Sequence, residues 1–114
     1  MQNEIQLSAS LAETEASLQR VRLRLEEIAG ELTAQRELVD SLANELAENQ
    51  RDAAIAGATF NSKPLRTRIN KARGLVTELS LEEAKLAPVH EALLAEYERL
   101  DDALYSIRLK RARP

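Results

Sequence analysis

Two rows of apolar residues, each repeating every seven positions, organise this chain. Leu11, Leu18, Leu25, Leu32, Val39 and Leu46 form the first row, and Ala72, Leu79, Leu86, Leu93, Leu100 and Ile107 form the second. Matched in reverse, Leu11 with Ile107 and Leu46 with Ala72, the two position numbers of every pair add to 118. A 3.5-residue repeat keeps an apolar stripe on one side of a helix, turned toward a partner. Mirror symmetry between two such stripes predicts an antiparallel coiled-coil hairpin folded about Thr59. Leu7, Val21, Ile28 and Leu42 fill the intervening core positions of the first half, with Thr14, Gln35 and Asn49 as polar exceptions.

End signals set the predicted boundaries. Asn3 with Gln6 three residues later has the spacing of a capping box, in which each side chain satisfies the other's free backbone N–H. Gly57 accepts the left-handed conformation that closes many helices. Asn61, Ser62 and Pro64 suit the start of the next helix, Ser62 as a cap for free N–H groups and proline because the first turn needs fewer donors. The prediction is all-α: one helix over about 4–56, a turn at 57–61 and a second helix over about 62–111. All of 1–114 is read as a single hairpin domain, assembling into a helical bundle. Pro88 removes a helical hydrogen bond and predicts a kink nearby, with a full break as the alternative. Its mirror position is Gly30, which would let the first helix follow a bend.

Composition narrows the class. Only 3% of residues are aromatic and 31% are charged, the makeup of long helices rather than of a globular core. With no cysteine, disulfides and thiolate metal sites are excluded. No secretory signal is visible at the start and no apolar run approaches the roughly 20 residues of a membrane helix. A cytoplasmic protein, or one within a virion or assembly made in the cytoplasm, is the expectation. Charge is blocked along the chain: residues 53–77 hold five bases and no acid, whereas 1–52 hold 11 acids and five bases. Folding at Thr59 is expected to set Lys63, Arg66, Arg68, Lys71 and Arg73 near Glu45, Glu48 and Asp52, and Arg108, Lys110 and Arg111 near Glu4, Glu13 and Glu15.

Candidate chemistry is sparse. His90 is the single histidine and falls on the seam with Glu83 and Gln35; three such groups strung along a helix pair lack the converging geometry of a metal site. They read as a polar layer that fixes register. No glycine-rich loop or nucleophile–base set appears, so neither enzyme activity nor a cofactor, metal or small-molecule substrate is expected. Leu38, Leu75 and Val89 widen the apolar stripe beyond the seam, which points to a further helix packing there. Phe60, at the turn, either closes the end of the core or anchors a partner. Arg108, Lys110, Arg111 and Arg113 could contact phosphates, without the interleaved aromatics that stack on bases.

These features lead to a structural or assembly protein that self-associates through its hairpins and docks on a larger protein assembly. The runner-up is a nucleic-acid-associated accessory factor of phage or plasmid type, working through the basic tail. A small protein inhibitor that occludes a partner's site is a third reading.

Overall fold

The computed structural model describes residues 3–113 and contains two helices, α1 (Glu4–Ile55) and α2 (Lys63–Ala112), packed as an antiparallel all-α hairpin. The ends are built by local chemistry. Gln6 N donates to Asn3 Oδ1 at 2.8 Å and Asn3 N to Gln6 Oε1 at 3.0 Å, which is the reciprocal capping box. At the other end of α1, Gly57 adopts a φ of +66°; its N–H reaches Ala54 O, and Ala58 N–H reaches Ala53 O at 2.8 Å. That pair of bonds is a Schellman closure, which satisfies two carbonyls the helix would leave open. The start of α2 differs from expectation in one detail. Asn61 Oδ1, not the Ser62 hydroxyl, accepts from Lys63 N, and Ser62 Oγ instead accepts from Arg66 Nε.

Two compact units divide the hairpin: unit 1 comprises Met1–Glu26 with Ala84–Pro114, and unit 2 comprises Glu27–Glu83. In unit 1, Leu7, Leu100 and Leu104 are buried together, with Leu11, Ala103 and Ile107 against them. In unit 2, Leu42, Leu65 and Ile69 form the buried cluster, with Val39, Leu46 and Phe60 packed on it. Both clusters correct the predicted register. A sum of 118 would set Leu7 level with Arg111, and Leu42 level with Val76. The observed partners are level when the sum is 111: Leu7 with Leu104, Leu11 with Leu100, Leu42 with Ile69 and Leu46 with Leu65. The same seam residues meet, one heptad out of the mirror.

The link explains the slip. The non-helical stretch is residues 56–62, longer than the predicted 57–61. Moving α2 by seven residues at 1.5 Å each lowers its start by about 10 Å beside α1. Helix axes sit 8–10 Å apart, so the crossing needs about 14 Å of chain, and the five residues 58–62 that follow the turn at Ala56 and Gly57 span up to about 17 Å. Phe60 packs onto the Leu42–Leu65–Ile69 cluster on the way.

Pro88 lies inside α2, which continues through it, so the second half of the chain is one helix and not two. A proline at 88 deprives the carbonyl of Ala84 of its helical donor. Ala84 is exposed, where water can serve that carbonyl, and it is the first residue of unit 1 on α2.

Candidate functional site

Seam residues divide by depth. Leu18, Leu32, Leu79 and Leu100 are buried, while Leu11, Leu25, Val39, Leu46, Leu86, Leu93 and Ile107 are half-buried. Ile28, Leu100 and Leu104 are the most completely enclosed large side chains. Leu65 also belongs to the core, although Pro64 beside it makes that stretch look like link. The sequence signal was present: Leu65 stands one heptad before Ala72.

The expected polar layer does not assemble. Glu83 is exposed and leaves Gln35 unpaired. Gln35 Oε1 is buried with no hydrogen-bond partner, which costs on the order of 1–3 kcal/mol for a neutral acceptor. In unit 1, His90 is half-buried on the seam, and Arg22 Nε donates to its Nε2 at 3.2 Å. His90 Nε2 is thus the acceptor of a hydrogen bond between the helices. Among the described residues no group of three or more His, Asp and Glu side chains converges as a metal site.

Charges fare differently at the two helix-pair ends. Glu4 receives Arg108 Nε at 3.4 Å and also Arg111 Nη2, so half of the proposed phosphate-contacting tail already holds a carboxylate. Lys110 and Arg113 are exposed beside them. Near the link the expected pairing is missing. Among the described residues, no ion pair joins Lys63, Arg66, Arg68, Lys71 or Arg73 to Glu45, Glu48 or Asp52. The heptad slip is not the cause, because at a sum of 111 Glu45 is level with Arg66 and Glu48 with Lys63. Elsewhere Arg99 donates from Nε to Glu96 Oε2 at 2.9 Å, and this hydrogen bond holds the Glu96 carboxyl below its ordinary range.

Exposed apolar side chains supply the remaining surface. Leu38 and Leu75, at 39% and 37% exposure, line one groove of unit 2 together with Gln35, Leu42, Arg68, Lys71 and Ala72. Val89 is also exposed but belongs to unit 1. Phe60 is half-buried against the core cluster, whereas Ile55, the last residue of α1, is 79% exposed. Sequence reasoning singled out the phenylalanine because it is unique and passed over Ile55, which has no periodic partner to mark it. The grooves along the helix pair are shallow and lined by few side chains, and no helix of the described residues is long and apolar enough to cross a membrane. Comparison with protein-family models, curated proteins and solved structures finds no match for this chain.

Proposed function

We propose that this chain is a non-enzymatic structural or assembly protein of the cytoplasm, or of a particle assembled there, that self-associates through its hairpins and docks on a larger macromolecular partner. The observation that carries this reading is the groove of unit 2, where Leu38 and Leu75 stand exposed above a core that already includes Leu42. Single exposed leucines are ordinary on protein surfaces. Two from different helices on one groove broaden the apolar stripe in the way that a third or fourth helix requires. The exposed Ile55 adds an apolar contact point at the link end for a docked partner. In unit 1, the Glu4 pairs occupy Arg108 and Arg111 and so weaken the case for a phosphate-binding tail.

Light scattering across a concentration series tests the self-association. A mass of at least twice 12.7 kDa is expected in the micromolar range, and a mass of 12.7 kDa at every concentration would remove the reading.

A further inference from the structure

We infer that the groove of unit 2 centred on Gln35 is the contact face of a two-fold dimer, in which α1 of each copy lies against α2 of the other. This rests on the self-association proposed above and names the surface and its occupant. Three independent observations fall on the same flank. Leu38 and Leu75 expose apolar surface there. Gln35 Oε1 is buried beside them without a donor. Arg68 and Lys71 line the groove from α2 and have no acidic partner among the described residues.

A second copy supplies what each of these lacks. With the two-fold axis parallel to the helices, both links point the same way and each α1 meets an α2 running antiparallel to it. At the observed register, position 38 of one copy is then level with position 73 of the other, so Leu38 of one copy approaches Leu75 of the next. Glu45 and Glu48, exposed on α1, come within about 3 Å and 8 Å along the axis of the level of Arg68 on the facing α2, and Glu45 within about 8 Å of that of Lys71. The acid–base complementarity between α1 and the acid-free start of α2 is left unused inside one hairpin and is satisfied between two. The two Gln35 side chains face one another across the axis, and the amide of one can donate to the buried oxygen of the other. Such a polar contact inside an apolar interface selects partner number and register.

The experiment uses the full chain. Leu38→Glu with Leu75→Glu should weaken dimerisation by at least about 100-fold in sedimentation equilibrium while the helical circular dichroism persists, because two leucines per copy lose their cover. A second pair of variants guards against misfolding. Glu45→Lys with Glu48→Lys makes one copy basic on both helices, and Arg68→Glu with Lys71→Glu makes another acidic on both. Each alone should dimerise poorly, and an equimolar mixture should restore a one-to-one complex. A dimer unaffected by all three double variants would overturn this face while leaving self-association standing. A wild-type chain that stays monomeric removes both. Duplex DNA binding by that monomer at physiological salt, abolished by Arg68→Glu with Lys71→Glu, would assign the cations to a polyanion instead.

Discussion

The two units solve the same packing problem with opposite use of charge. In unit 1, α1 begins with Glu4 and α2 ends with Lys110 and Arg111, each sign matching the partial charge of its own helix end. Glu4 then serves twice, because it also receives Arg108 and Arg111 from the other helix. In unit 2 the signs are reversed. The first turn of α2 carries Lys63 and Arg66 with no acid, and the last turn of α1 carries Asp52 with no base. Apolar burial holds both units, through Leu7, Leu100 and Leu104 in one and Leu42, Leu65 and Ile69 in the other. Electrostatics therefore reinforces unit 1, where Glu4 meets Arg108 and Arg111, and opposes unit 2, where the chain turns.

The sharpest way to break this comparison is to ask whether both units keep the same register. Leu11→Cys with Leu100→Cys in unit 1, and Leu42→Cys with Ile69→Cys in unit 2, should each form an intramolecular disulfide on mild oxidation, read by mobility under non-reducing conditions. Leu11→Cys with Ile107→Cys should form far less. Efficient closure of that last pair would restore the 118 register.

Burial comes next in size. Leu100→Ala empties a site 1% exposed and should cost about 2–5 kcal/mol in denaturant unfolding. Phe60→Ala, losing a ring only half-buried, should cost less than the roughly 3–5 kcal/mol of a fully enclosed Phe. Equal losses would show that the link is as firmly packed as the core of unit 1.

The smallest effects carry opposite signs. Lys63→Glu puts a favourable charge at the start of α2 and should stabilise the monomeric hairpin by about 0.3–1 kcal/mol at low salt. Glu4→Lys should destabilise by at least as much, since it also breaks two arginine contacts, and added salt should shrink both shifts. Matching signs would dissolve the electrostatic contrast between the units.

Which residues face the seam was legible because heptad spacing reports the side of a helix directly. The caps were equally plain: Asn3, Gln6 and Gly57 sit where their chemistry requires, and the structure uses each as expected. Pairing along the axis was not legible, for the reason that made the faces so clear. A seven-residue repeat looks the same after a shift of seven, so 118 and 111 place the same rows in contact. Only the path of residues 58–62 distinguishes them, and non-helical chain leaves no periodic trace. The polar layer failed with it, since Gln35 and Glu83 were matched through the wrong sum. The groove of Leu38 and Leu75 could be anticipated as a widened stripe, but the orphaned oxygen of Gln35 beneath it is a matter of three-dimensional neighbours.

The link is thus the gauge that sets where the ruler of leucines begins. Helices with identical spacing can be lengthened by matched heptads at their far ends without disturbing an existing contact of the seam. The seam tolerates growth in whole steps of seven on each arm, as a rack tolerates added teeth. What it does not tolerate is a change near Gly57 that alters the path by a fraction of a step, because every tooth would then miss its gap at once. Variation in this chain should accordingly be free in length at the termini and severely restricted in the seven residues that turn it around.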